Sequence, residues 1–257
     1  MPRAKKHLPL PWLDFKQYSG KKVLVVTAHP DDADWFCGGT CARLAKEGAE
    51  VIYVICTDGG GGSMDTNLTR SKLAEIRQKE QRTANEILGV SDTIFLGHPD
   101  GGLMHVTELD REIAALIREH KPELFITFDP SWPENVMHPD HRAACMAAVR
   151  AVRFAVLPLC FTDEEPAGTH LVNDIIFFRP KKTEIVVNVA DFAFKKFEAL
   201  GAHESQMVHM LDEQAAKIFA WVAKQGDNPL TRTMLYAFST YFYVERFRRF
   251  QQMELLR

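Results

Sequence analysis

Four short runs of almost unbroken aliphatic and aromatic residues recur through the first half of the chain: KVLVVT (22–27), EVIYVIC (50–56), DTIFLG (92–97) and ELFITF (123–128). A run without polar alternation has both faces covered, which is how a strand inside a parallel sheet reads. Longer amphipathic stretches separate them: WFCGGTCARLAKEG, SKLAEIRQKEQRTANEILG, ELDREIAALIREHK and HRAACMAAVRAVRFA. The second places Leu73, Ile76, Ala84, Ile87 and Leu88 on one side and charge on the other, and it should stop at Gly89. Strand–helix alternation of this kind folds into an α/β domain, a mostly parallel sheet flanked by helices on both sides.

The alternation holds to about residue 155. Beyond it, NDIIFFR and TEIVVNV read as two more strands, close enough for a hairpin or a sheet extension. DFAFKKFEALGAHESQ and LDEQAAKIFAWVAKQ read as helices, and LYAFSTYFYVERFRRF fits strand or helix equally. With no internal repeat and no linker, residues 1–257 form one domain, with 1–20 an N-terminal extension and 156–257 a decorated C-terminal portion.

Composition removes several function classes. A net charge of −3 leaves no electrostatic footprint for nucleic acid or an anionic membrane. No apolar run approaches the roughly 20 residues of a membrane span, and the basic start MPRAKKHLPLPWLDF is interrupted by prolines as no signal peptide is. Five cysteines, an odd number without a C-x-x-C pair, suit thiols in a reducing compartment. The expected location is the cytoplasm.

The polar residues with chemistry cluster after the strands. TAHPDDAD follows the first, TDGGGGSMD the second, HPDGG the third and DPSWPENVMHPDH the fourth. Open α/β sheets bind ligands outside the carboxyl ends of their strands, so these four loops should converge on one site. His29 and Asp32, three apart, can hold one ion from a turn that opens a helix, and His141 can join them. Two imidazoles and a carboxylate leave positions open, which distinguishes a catalytic zinc from a structural one; water on such an ion has its pKa lowered to about 7. Asp31 and His138 are left over, a carboxylate to accept a proton and an imidazolium to stabilise an oxyanion. Some neighbours have plainer readings. Asp34 reads as a helix N-cap, and His98, His105, His120 and His170 as solvated loop residues.

In order, AHPDDAD with GGT, TDGGGG, EIRQKEQRTANEILGV, FLGHPDGGL, TFDP and HPDHRAA resemble the LmbE/PIG-L family of zinc-dependent deacetylases, and the resemblance resumes at KKFEALGAHESQ and YVERF. It implies a Rossmann-like three-layer sandwich and hydrolysis of an N-acetylglucosamine-type amide to a free amine and acetate. It implies one Zn2+ per chain on His29, Asp32 and His141, Asp31 as general base, His138 as charge stabiliser and Asp140 as the residue that tunes His138. It further implies Arg77, Asp100 and His203 as substrate-binding residues; by themselves these read as an exposed helix charge, a Pro-Asp-Gly turn and a helix-end cation. Trp132 reads either as an aromatic to stack on a sugar ring or as packing for its proline-flanked loop. The expected partner is a small N-acetylated amino sugar, without nucleic acid or membrane insertion, and the family is often homo-oligomeric. The run Gly59–Asp65 reads either as a shaper of the site or as a flexible connector.

Three other functions fit parts of the pattern. Some relatives cleave another amide of an amino-sugar or thiol conjugate. Two histidines and a carboxylate also form the facial set of non-haem iron(II) oxygenases. TDGGGGS suggests a nucleotide-binding module, although it lacks both G-x-x-x-x-G-K-[ST] and G-x-G-x-x-G spacing.

Overall fold

The structure is a computed structural model that describes residues 13–131, 138–162, 168–210, 221–232 and 244–250. Seven strands form one sheet in the order β3-β2-β1-β4-β5-β7-β6. β1 (Lys22–Thr27), β2 (Glu50–Thr57), β3 (Asp92–His98), β4 (Leu124–Phe128) and β5 (Asp174–Phe178) run parallel. β7 (Val244–Phe250) is antiparallel to both β5 and β6 (Ile185–Asn188). The expected α/β fold is therefore present.

The helices follow from the connections. α1 (Asp32–Lys46) and α2 (Arg70–Leu88) join strands that step outward from β1 to β3, while α3 (Leu109–His120) and α4 (Pro139–Ala155) join strands that step the other way. Right-handed crossovers put the two pairs on opposite faces, making three layers. α5 (Ala193–Gly201) packs on α1 and α2, and α6 (Glu204–Met210) on α2. Gly89 ends α2 as expected, with φ of +80° and its N–H on the Asn85 carbonyl.

Three expectations need correcting. β3 is not covered on both faces: it is the sheet edge and only partly buried, because an apolar run shows that a strand packs and not what it packs against. NDIIFFR and TEIVVNV do not form a hairpin, since β7 from the end of the chain lies between them. The ambiguous aromatic tail is a strand from Val244 onward, while its residues 235–243 lie outside the described residues, as do 211–220 of the helix expected before it. Leu13, Phe15 and Tyr18, inside the stretch taken as an extension, are buried in the main core.

Candidate active site

β1 pairs with β2 on one side and β4 on the other, so successive connections leave β1 and β4 in opposite directions. This is the topological switch point, where an open α/β sheet parts to make a crevice. His29 stands just beyond β1, and His141 lies in the first turn of α4 after β4.

The side chains meet there. His29 Nδ1 is 3.2 Å from His141 Nε2 and 3.5 Å from Asp32 Oδ2, and His141 Nε2 is 3.0 Å from Asp32 Oδ1. Ligands about 2.0–2.2 Å from a tetrahedral ion stand roughly 3.3–3.5 Å apart, so these donors are spaced to share one ion. The surroundings aim each donor. Asp32 Oδ2 also accepts the His29 backbone N–H at 2.8 Å, which anchors the carboxylate. The His141 ring stacks on Phe128, with centroids 4.5 Å apart. The far nitrogen of His29, Nε2, faces Asp100 Oδ1 at 3.1 Å and Asp140 Oδ2 at 3.3 Å, which favours a proton on Nε2; burial lowers the ring, but these carboxylates and Asp32 outweigh it and raise it well above the usual imidazole range.

Among the described residues, two groups of three have one ligand atom each within 4.8 Å of one another, His29–His138–His141 and His29–Asp100–Asp140. The second is already satisfied by the chain. Asp100 accepts the Gly61 N–H, and Asp140 accepts those of Gly101 and Leu103. His138 Nδ1 accepts the Asp140 N–H at 3.2 Å, capping α4, so His138 is tied to its helix. The His29, Asp32 and His141 side chains lie in contact beside these groups, Asp32 facing the two histidines with a different oxygen each.

Electrostatics separates the two aspartates. Burial pushes the Asp31 carboxyl up to about 6, although Arg77 beside it pulls down. Burial raises Asp32 too, but the imidazoles of His141 and His29 outweigh it and hold that carboxyl well below the usual range. Burial lowers His138, and the neighbouring His29 and His141 lower it further. These effects favour the neutral form of the His138 ring. With Nδ1 accepting, its proton sits on Nε2, which remains a donor.

The remaining expected residues sit differently from their anticipated roles. The Asp140 carboxylate hydrogen-bonds His29 and the 101–103 turn, and its charge raises His138 in the expected direction, though burial and the other two histidines outweigh it. Arg77 is 3% exposed and spends its guanidinium on the carbonyls of Gly59 and Pro30 and on Asp31 Oδ2 at 3.1 Å, inside the protein. His203 is fully buried, 2.8 Å from Asp34 Oδ2. Asp100 lines the site with one carboxylate oxygen on His29. Asp34 is no N-cap: it lies inside the first turn of α1, buried under His203 and Gln81. His98 pairs with Glu112 at 2.7 Å, and His170 meets the Pro122 carbonyl at 2.8 Å, so neither is merely solvated. Trp132 lies outside the described residues.

The glycine run is a shaper of the site. A side chain at Gly62 would meet Arg77 Nη1 at 2.7 Å, and one at Gly59, where φ is +67°, would meet Pro30 at 2.9 Å. The amides of Gly59, Gly60 and Gly61 are taken by Thr57, Asp58 and Asp100, which leaves no phosphate cradle. Gln81 is the residue that sequence reading missed. Arg77, Gln81 and Asn85 fall at i, i+4 and i+8 on the buried face of α2. A polar line on the apolar face of a helix was the available signal.

Comparison with known proteins identifies the family. Residues 24–152 match the family described as PIG-L: GlcNAc-PI de-N-acetylase. The diacetylchitobiose deacetylase of Thermococcus kodakarensis is 35% identical over 188 residues, 72% of this chain and 70% of that protein. A Bacillus cereus protein named "Probable N-acetyl-alpha-D-glucosaminyl L-malate deacetylase 2" is 36% identical over 208 residues, 77% of this chain and 89% of that one. Among solved structures, N,N'-diacetylchitobiose deacetylase from Pyrococcus horikoshii, complexed with its inhibitor MPG, superposes with a TM-score of 0.75 at 29% identity, covering 91% of this chain and 85% of that chain. With the motifs matched across half its length and the fold across nearly all of it, the chain belongs to the PIG-L (LmbE) family of deacetylases.

Proposed function

We propose that this protein is a zinc-dependent hydrolase that removes the acetyl group of an N-acetylglucosamine-type amide, one zinc ion serving each chain. The observation that carries the reading is the donor triangle of His29, Asp32 and His141 with the Asp31 carboxylate beside it. Its relatives are named as deacetylases of diacetylchitobiose, N-acetylglucosaminyl malate and an inositol glucosaminide, which supports the substrate class. When bound by those three residues, zinc supplies a Lewis acid for the amide carbonyl and lowers the pKa of water to about 7.

The chain's own groups supply the rest. Asp31 accepts the proton that water gives up on attacking the carbonyl carbon and returns it to the leaving nitrogen, so the C–N bond breaks to acetate and an amine. The tautomer of His138 leaves Nε2–H to donate to the carbonyl oxygen as negative charge gathers there. Asp100 and Asp140 hold the His29 ring, and Arg77 holds Asp31. No helix among the described residues is long and apolar enough to cross a membrane. All five cysteines are free thiols, which fits the cytoplasm as the working compartment.

Acetate release from a panel of N-acetylated amino sugars and matched sugarless N-acetyl amines tests the reading. An N-acetylglucosaminide should be cleaved well, lose cleavage with a chelator and regain it with zinc. The sugarless amides should be much poorer substrates, because binding energy away from the bond positions the amide. Asp31→Asn should keep the metal and lower kcat by about 10²-fold or more. Turnover that survives the chelator would exclude the metal, and turnover that survives Asp31→Asn would exclude the base.

A further inference from the structure

Asp31 has φ of +99° and ψ of −31°, a left-handed backbone that residues with a side chain rarely adopt. Such a conformation persists only where its surroundings enforce it. Here the enforcement comes from one peptide group gripped at both ends. The Pro30 carbonyl accepts from Arg77 Nη2 at 2.6 Å, and the N–H of the same peptide, on Asp31, donates to Gln81 Oε1 at 2.8 Å. Arg77 and Gln81 stand one turn apart on the buried face of α2.

The direction of the Gln81 amide is itself determined. Its Nε2 donates to Asp34 Oδ2 at 2.9 Å and to Asn85 Oδ1 at 3.0 Å, two acceptors that only the nitrogen can face. That leaves Oε1 for the Asp31 N–H. Asp34 is held in turn by His203 at 2.8 Å. The chain from His203 through Asp34 and Gln81 therefore ends on the backbone that carries the Asp31 carboxylate.

We infer that Gln81 is a positioning residue for catalysis: with Arg77 it clamps the Pro30–Asp31 peptide in a strained conformation that sets the Asp31 carboxylate beside the His29–Asp32–His141 triangle. It touches neither substrate nor metal. The inference rests on Asp31 being the base, and the two ideas fail separately in the measurements below.

The clamp is tested first by stability, without reference to activity. Asp31→Gly and Asp31→Ala both remove the carboxylate and differ only by a Cβ. In a relaxed backbone alanine is the more stable of the two; at a positive φ glycine is. With Gln81 present, Asp31→Gly should melt about 2–4 °C above Asp31→Ala. In a Gln81→Met background, which keeps volume and removes the acceptor, that gap should close or reverse. Kinetics supplies the second arm. Gln81→Met should lower kcat by about 10–100-fold, with KM and zinc content near wild type. Asp31→Ala melting at or above Asp31→Gly would overturn the clamp even if Gln81→Met failed to fold. A gap indifferent to Gln81, or an unchanged kcat, would also overturn it. Full turnover of Asp31→Asn with the gap intact would remove the base and leave the clamp.

Discussion

Two groups of charged side chains are buried against α1, and they are completed in opposite ways. At one, Lys196 Nζ lies 2.7 Å from Glu245 Oε1, and the Glu245 carboxylate also accepts the N–H groups of Gly39 and Thr40 at 3.0 and 2.7 Å. Both side chains are 1% exposed. Those two amides follow the break in α1 at Cys37, so Glu245 caps the second half of the helix while Lys196 balances its charge. At the other, His29 Nδ1 and His141 Nε2 stand 3.2 Å apart and face the two oxygens of the Asp32 carboxylate at 3.5 and 3.0 Å. A buried group finished by its own partners contributes architecture. Imidazoles and a carboxylate of metal-ligand type gathered at the crevice after the strands mark a place for chemistry instead.

The comparison breaks if the wrong cluster carries the function. His141→Ala should give the largest effect, loss of the metal and of all measurable turnover, with folding intact by circular dichroism. Elemental analysis that finds a full complement of metal in that variant would remove His141 from the ligand set. Glu245→Ala should do the reverse. It leaves Lys196 buried without its carboxylate and two amides uncapped, which costs about 3–5 kcal/mol of stability. Chemical denaturation reads that loss, and the folded fraction should retain its metal. Metal loss with unchanged stability would show that the α1 cap serves the site.

A smaller effect sharpens the same contrast within the site. Asp100 lies on His29 and on the Gly61 amide, and it was expected on sugar hydroxyls. Removing a carboxylate that orients a metal-binding histidine weakens metal affinity or activity by about 10–100-fold. Asp100→Asn should therefore lower kcat/KM equally for an N-acetylglucosaminide and for a sugarless N-acetyl amide. A loss confined to the sugar substrate would return Asp100 to the sugar-binding role.

What the sequence made legible follows the same division. β1, β2, β4 and β5 were readable because burial on both faces writes itself as unbroken Val, Ile, Leu and Phe, whereas the same kind of run in β3 hid an edge. His29, Asp32 and His141 were readable because polar residues directly after such strands have no core to serve. Asp34 was misread because a cap and a buried first-turn carboxylate look alike until a partner 169 residues away, His203, is placed against one of them. The direction of the Asp140 side chain depended on the 101–103 turn, which no local pattern announces. The place of β7 between β5 and β6 needed pairings across 56 to 75 residues, and strand periodicity carries no record of neighbours.

The smallest effect concerns what the site costs at rest. Burial raises the Asp31 carboxyl in the folded protein to about 6, against about 3.9 in an unfolded chain. The folded state thus holds a proton that the unfolded state releases between roughly pH 4 and 6, and stability from this group falls as pH rises through that window. Above pH 6 the ionised carboxylate is a standing cost, as expected of a group placed for reaction. The amide that Asp31→Asn puts in its place does not titrate. In the metal-free protein, Asp31→Asn should melt above wild type at pH 7–8, and the difference should shrink as pH falls through about 6. Zinc should move that midpoint down, since a cation on Asp32 favours the ionised form of its neighbour. A difference that stays flat from pH 4 to 8 would mean Asp31 is already ionised at no cost, finished by Arg77 as completely as Glu245 is by Lys196.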